Sequence, residues 1–212
     1  MDPIGCACRA AVHAPRRIVL TGGPGAGKTA VLEVVQRHFC PHVAVLPEAA
    51  SILFGGGFPR RPSLPARRAA QRAILRVQHE LERMVLEEGH LAVALCDRGT
   101  VDGEAYWPGP PAELWADLGT THEAELGRYA AVIHLRVPPP ESYNHQNPVR
   151  TETAEEAAAI DARIAEAWRG HPRRFVVDSS ADFMTKLAEA VRLLRAEVPA
   201  CCRGGRGGAA MP

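Results

Sequence analysis

Along the chain, short uninterrupted apolar runs alternate with longer stretches in which apolar residues return every three or four positions. The runs lie at residues 18–21, 42–46, 91–96, 130–137 and 175–177, and each predicts a strand. A strand with one wet face alternates, whereas continuous apolar runs are what parallel strands covered on both faces require. The helical stretches supply the covers. Residues 28–39 are apolar at Val31, Leu32, Val34, Val35 and Phe39, and residues 66–88 set Ala70, Ile74, Val77, Leu81 and Val85 on one stripe. Thr153-Ala-Glu-Glu156 is a capping box that opens a helix to about residue 169, and residues 181–198 form a last amphipathic helix. Five strands with helical connections predict an α/β three-layer fold around a mostly parallel sheet.

Length and composition narrow the picture without changing it. A chain of 212 residues holds one core with some decoration. At 46% hydrophobic and 23% charged it is neither a wholly disordered chain nor a membrane protein. Its net charge of +1 argues against holding nucleic acid through bulk positive charge, and no nucleic-acid partner is expected. No stretch approaches the roughly 18 apolar residues of a membrane span, and the start lacks the apolar centre of a secretory signal, so a cytoplasmic location is expected. The expected organisation is a disordered tail at 1–15, a domain at 16–198 with a lid region at about 138–172, and a flexible Gly-rich tail at 199–212. Cys6, Cys8, Cys201 and Cys202 fall in the tails, where C-x-C and C-C depart from the usual zinc spacing. Cys40 and Cys96 fall in apolar segments, where a thiol packs as a small hydrophobe.

The chemistry concentrates after the first strand. Gly22-Gly23-Pro24-Gly25-Ala26-Gly27-Lys28-Thr29 fits the Walker A pattern G-x-x-x-x-G-K-[ST] in full, with a strand before it and a helix from Ala30 onward behind it. Glycines let the backbone turn so that successive amides face phosphates. Lys28 reaches the β- and γ-phosphates, and the Thr29 hydroxyl is a Mg2+ ligand. Only Lys28 and Lys186 are lysines, so one of two sits where a compact ammonium has to meet phosphate. The other, in Thr185-Lys186-Leu187-Ala188, lacks the Asp of the guanine-reading motif, which leaves ATP as the expected nucleotide without excluding GTP.

Parallel sheets bind ligands at the carboxyl ends of their strands. There the third strand delivers Asp97-Arg98-Gly99 and the second delivers Glu48. Asp97 is either a metal-side carboxylate or a turn cap. Glu48 either takes an acceptor proton, or holds a water on Mg2+, or serves as an acid at a helix start. A polar insertion after the fourth strand runs through Arg150 into the helix carrying Arg163, the plan of a lid with two arginine clamps; as lone arginines both also read as surface residues. Asp178, after the last strand, either touches the base or begins a helix cap. Arg68, Arg72, Arg76 and Arg83 share a helix face that is either solvated or open to an anionic lipid headgroup.

Together, the loop ending at Thr29, Leu-Pro-Glu48-Ala-Ala, Asp97-Arg98-Gly99 with Asp102 and Ala105-Tyr106, Val-Ile-His-Leu135, Asn147-Pro-Val-Arg150 and Val-Val-Asp178 resemble P-loop NTPases of the AAA_28 type. That group covers the nicotinamide riboside kinase domain of NadR and the TRPL translocation defect proteins. The resemblance spans roughly residues 16–198 and implies a kinase-like strand order of 2-3-1-4-5, with ATP or GTP and Mg2+ as ligands. The Asp97-Arg98 to Ala105-Tyr106 segment also resembles thymidylate kinases, but Pro47 and the alanines after Glu48 replace that family's Arg and Gly pair. These residues are expected to make a phosphotransferase that moves a γ-phosphoryl group to a small hydroxyl-bearing metabolite such as a nucleoside. Walker A, Glu48, Asp97, Arg98, Arg150 and Arg163 would do the work. The alternative is a nucleotide-dependent switch of the GTP- and phosphoinositide-binding kind, with slow hydrolysis.

Overall fold

Each apolar run is a strand. The computed structural model describes residues 13–139, 153–179 and 182–203. Within them lie β1 (Arg16–Thr21), β2 (Val43–Leu46), β3 (Val93–Asp97), β4 (Ala131–Leu135) and β5 (Arg174–Val177). All pairings are parallel, in the order β2-β3-β1-β4-β5, as the resemblance implies. Register sets Leu20 beside Asp97 and Leu46 beside Cys96. The carboxyl ends of β1, β2 and β3 therefore finish level, and the segments leaving these strands meet along one edge.

Side chains alternate across this sheet, and both faces of the central strands β3, β1 and β4 are dry, which is why those strands carry no polar alternation. Ile18, Leu20, Leu95 and Ile133 face α1 (Lys28–His38) and α8 (Phe183–Glu197), meeting Val31, Val35, Ala190 and Leu194. Val19, Ala94, Cys96 and Val132 face the other way. There they meet Val85 of α3 (Leu64–Glu88), Ala105 of α4 (Gly103–Tyr106) and Ile164 of α7 (Ala154–Ala167). A satellite cluster of Leu75, Trp107, Leu114, Trp115 and Leu118 joins α3 to α5 (Pro111–Leu118). Two further short helices, α2 (Ala49–Gly55) and α6 (His122–Leu126), complete the described α-helices. No described helix is long and apolar enough to cross a membrane.

Several local expectations change. The inward face of α3 is Ala70, Leu75, Gln78, Glu82 and Val85, rotated from the apolar stripe so that two polar residues enter the core. Glu82 explains the rotation. Its carboxylate takes Arg17 at 3.1 Å, Arg128 at 2.6 Å, the Gln78 amide at 2.9 Å and the Tyr129 hydroxyl at 2.7 Å. A buried carboxylate so fully partnered holds a place an apolar residue would otherwise take. The capping box on α7 forms as expected, with Thr153 and Glu156 bonding each other's backbone amides at 3.1 and 2.8 Å. Residue 178 does not cap α8; Asp182 does, accepting from the amides of Met184 and Thr185. The ordered chain also continues past Val198, because a 3-10 turn at Ala200–Cys202 buries Cys202 in the core, where a flexible tail was expected. Residues 1–12 and 204–212 of the expected tails lie outside the described residues.

Candidate functional site

The phosphate-binding loop is shaped by close approaches that only glycine allows. Gly22 has φ 137°, and a Cβ there would sit 2.1 Å from the Leu135 carbonyl oxygen. Gly23 is closed in by Val137 Cγ1 at 2.7 Å, Asp161 Cβ at 2.8 Å and the Ala157 carbonyl at 2.9 Å from its would-be Cβ. The Gly23 carbonyl accepts the Ala26 amide at 3.2 Å, which curls Pro24, Gly25 and Ala26 over the start of α1. No side chain caps α1, so its first amides are left for an anion. Lys28 folds back, donating from Nζ to the Gly22 and Gly23 carbonyls at 3.0 and 3.3 Å. Thr29 and Ala30 follow on the first turn of α1, with Thr29 exposed.

Two carboxylates and one guanidinium stand across from this loop. Glu48 directly precedes α2 and pairs with Arg98 Nε at 2.6 Å, while Ser51 donates to its other oxygen at 2.5 Å. Arg98 sits at φ 72°, the only described non-glycine with positive φ, at the turn that ends β3. A left-handed arginine is costly, and such strain persists where the surroundings require the side chain's direction. Here the Arg98 amide donates to the Leu20 carbonyl at 3.0 Å, the guanidinium carbon lies 5.4 Å from the Tyr106 ring centre, and Nη1 is buried with no hydrogen-bond partner among the described residues.

These charges set one another's ionisation. Burial and the Arg98 guanidinium lower Lys28 to about 8, against the opposing pull of Asp97, Glu48 and Asp102. Burial pushes the Glu48 carboxyl up, but Arg98, the Ser51 hydroxyl and Lys28 together hold it below its ordinary value. Asp97 goes the other way, raised by burial and by the Glu48 charge despite Lys28 and Arg98. Its Oδ1 is buried without a hydrogen-bond partner among the described residues. Two carboxylates whose ionisation is pushed apart suit different tasks.

Beside the loop opens a cavity of about 640 Å³, lined by Pro24 at the phosphate end, by Glu48, Ser51 and Phe54 of the α2 region, and by Arg98 and Tyr106 beyond β3. That volume is of the size that small-molecule sites use. Sequence reasoning missed the α2 part of its wall, because α2 is short and lacks a long period, and for the same reason it missed α5, which packs on α3 and does not line the cavity. The punctuation of α5 was nevertheless readable in Pro111 within its first turn and Gly119 just beyond it.

Two residues behind the site hold it in shape. Asp102 accepts from the Thr21 hydroxyl, from the Gly99 amide at 2.8 Å and from Trp168 Nε1 at 3.2 Å, tying β1, the Arg98 turn and the chain just beyond α7 together. Asp161, which sequence reasoning did not single out, accepts the Gly23 amide at 2.9 Å and His134 Nε2 at 2.8 Å, and pairs with Arg136 at 3.0 Å. The readable signal was an acid at i+4 between Ala157 and Ile164 on the buried face of a capped helix.

Among the described residues, the other candidates lie apart from the Lys28, Glu48, Asp97 and Arg98 group. Arg150 lies outside the described residues. Arg163 donates from Nε to the Ala105 carbonyl at 2.8 Å on a helix that buries Ala157, Asp161, Ile164 and Ala167. This helix is part of the packed sheet cover, so the lid expected to extend to about residue 172 does not include it. Asp178 is exposed at the end of β5, and Lys186 is spent on the Arg136 carbonyl. The basic face of α3 is partly covered: α5 brings Glu113 onto Arg68 and Asp117 onto Arg72 at 2.9 Å, and Arg83 pairs with Glu80. Of Arg68, Arg72 and Arg76, Arg76 is the one that α5 leaves uncovered, and it is exposed.

Residues 17–186 match the model of the AAA_28 family, an AAA domain. The chain belongs to this family. The AAA_28 chain also resembles solved structures of NadR protein. One, in complex with NR, is 12% identical with a TM-score of 0.65, over 88% of this chain and 52% of that one. Another, in complex with NAD and AMP-PNP, is 11% identical with a TM-score of 0.61, over 94% of this chain and 51% of that one. The chain thus spans about half the length of the NadR structures it matches. A search of curated proteins found no match. The family match and the loop geometry make this a nucleotide-binding P-loop protein.

Proposed function

We propose that the chain is a phosphotransferase that takes ATP or GTP in its P-loop and moves the γ-phosphoryl group to a hydroxyl of a nucleoside-sized molecule in the adjoining cavity. The observation that carries this reading is the cavity itself, because its wall contains Glu48 and Arg98 and its mouth is Pro24 of the loop. A nucleotide switch needs no such room beside its phosphates. The acceptor oxygen bonds to the γ-phosphorus as the bond to the β,γ-bridging oxygen breaks, and the hydroxyl proton leaves toward the Glu48 carboxylate. With its pKa held low, Glu48 chiefly orients the hydroxyl, which suffices for a transfer governed by positioning and charge. Lys28 and the Arg98 Nη1 atom face the charge on the transferring group.

The residues fit Mg2+. An exposed Thr29 hydroxyl and a buried Asp97 oxygen without a hydrogen-bond partner are hard oxygen donors at the loop. The ion, when bound, supplies charge neutralisation on the β- and γ-phosphate oxygens. The ligands of the two NadR structures, NR in one and NAD with AMP-PNP in the other, accord with a nucleoside-type acceptor.

The test is incubation of the full chain with Mg·ATP or Mg·GTP against a panel of nucleosides and ribosides, read by product mass. One phosphorylated product is expected, and Glu48→Gln should lower kcat by about 10² through lost positioning of the hydroxyl while leaving nucleotide affinity near the parent value. Tight nucleotide binding with no phosphorylated product across the panel overturns the reading.

A further inference from the structure

At the amino ends of the strands, on the edge of the sheet opposite the P-loop, three stretches of chain distant in sequence bring nitrogen and sulfur donors together. His13 precedes β1, Cys40 and His42 precede β2, and Cys201 and Cys202 lie in the 3-10 turn after α8. One ligand atom each from His13, His42 and Cys202 lie within 4.8 Å of one another. Cys202 Sγ stands 3.6 Å from His13 Nε2 and 3.8 Å from His42 Nδ1. Two further thiols flank the group. Cys40 Sγ is 3.5 Å from His42 Nδ1, and Cys201 Sγ is 3.9 Å from both His13 Nε2 and Cys202 Sγ.

These sulfur–nitrogen and sulfur–sulfur separations are close to individual edges of a coordination tetrahedron. With zinc–sulfur bonds of about 2.3 Å and zinc–nitrogen bonds of about 2.05 Å, tetrahedral geometry places sulfur about 3.6 Å from nitrogen and about 3.8 Å from a second sulfur. A thiol–imidazole hydrogen bond gives a similar distance for one pair. A thiol is one weak donor and a weak acceptor, however, and Cys202 Sγ is close to two imidazoles and a second sulfur at once, a convergence that a shared cation matches better than three weak hydrogen bonds. The His42 amide also donates to Cys40 Sγ at 3.4 Å, a contact that favours a thiolate over a thiol.

We propose that this cluster is a structural Zn2+ site, held by His13 Nε2, His42 Nδ1 and Cys202 Sγ with the fourth position filled by the thiolate of Cys40 or Cys201. Mixed imidazole and thiolate donors suit a borderline-soft ion, and a set closed by protein ligands is structural rather than catalytic. Binding releases the proton of each coordinating thiol to solvent. The ion clasps the lead into β1, the lead into β2 and the turn after α8. It holds both ends of the described chain at the foot of the sheet, away from the nucleotide edge. The proposal does not depend on the phosphotransferase reading.

The test uses the full chain without a polyhistidine tag. Elemental analysis of protein grown with zinc is expected to find about one zinc per chain. Replacement by Co2+ should give the visible bands of a tetrahedral ion and a near-ultraviolet thiolate charge-transfer band. Chelation should lower the thermal midpoint, and Zn2+ but not Mg2+ should restore it. Cys202→Ser and His42→Ala are each expected to cut zinc to below about a tenth of an equivalent while nucleotide binding persists. The proposal is overturned if the wild-type chain takes up neither metal, if the Co2+ spectrum lacks the thiolate band, if chelation leaves the midpoint unmoved, or if mass shows the thiols joined as disulfides. Because the Co2+ spectrum is read on wild-type protein, a variant that fails to fold leaves the test intact.

Discussion

Raising the pH from about 7 to about 9 probes the electrostatics of the P-loop directly. Lys28 is held at about 8 by burial and by Arg98, with Asp97, Glu48 and Asp102 pulling the other way. A bound polyphosphate surrounds the ammonium with anionic oxygens and returns it toward its ordinary value of 10.5, so nucleotide binding is linked to protonation. Below a pH of about 8, Lys28 is charged with or without nucleotide and affinity is flat. Above it, each binding event must also take up a proton, so affinity falls. Between a pH of about 7 and about 9 the apparent affinity should drop about tenfold, or about 1.4 kcal/mol. Proton uptake should rise from about a tenth to about nine-tenths of a proton per nucleotide. The triphosphate's last ionisation, near a pH of about 6, lies below this window and adds little. Titration calorimetry in two buffers of different ionisation enthalpy reads both quantities, and Lys28→Met should abolish the pH dependence along with most of the affinity. Constant affinity across the window with no proton uptake at the upper end would refute the assignment of Lys28 as a buried cation awaiting phosphate.

Gly23→Ala inserts a methyl group among Val137, Asp161 and the Ala157 carbonyl, each within 3 Å, so α7 must move off the loop. It should cost about 1–3 kcal/mol in denaturant unfolding and weaken nucleotide binding, and parent values for both would contradict the packing described. Glu82→Ala leaves Arg17 and Arg128 facing each other without their shared carboxylate. A loss of about 3 kcal/mol is expected, at the low end for a broken buried pair because both arginines keep some water. A loss below about 1 kcal/mol would show that Glu82 does not anchor α3 to the sheet through Arg17, Arg128 and Tyr129.

The parts legible in the sequence are those whose physics is local. Continuous apolar runs announced a sheet covered on both faces, and the Gly22 to Thr29 pattern announced a phosphate loop because glycine spacing and one ammonium suffice to define it. Thr153 and Glu156 announced a helix start for the same reason, since a capping box is closed within four residues. Periodicity failed on α3, where Gln78 and Glu82 face inward because Arg17, Arg128 and Tyr129, far along the chain, supply their partners.

By itself, then, the sequence determined the class of fold, the nucleotide loop and the acids at the strand ends, all written in short-range spacing. Tertiary structure alone decided that Glu48 and Arg98 pair across β2 and β3 at the wall of a cavity, and that α5 covers part of the arginine face of α3. It also decided that Asp161 grips the loop from behind. The same holds for the cluster of His13, His42 and Cys202, whose members lie up to 189 residues apart. Parallel pairing and helix packing bring such residues within bonding distance, and no pattern along the chain encodes which cations, acids and thiols become neighbours.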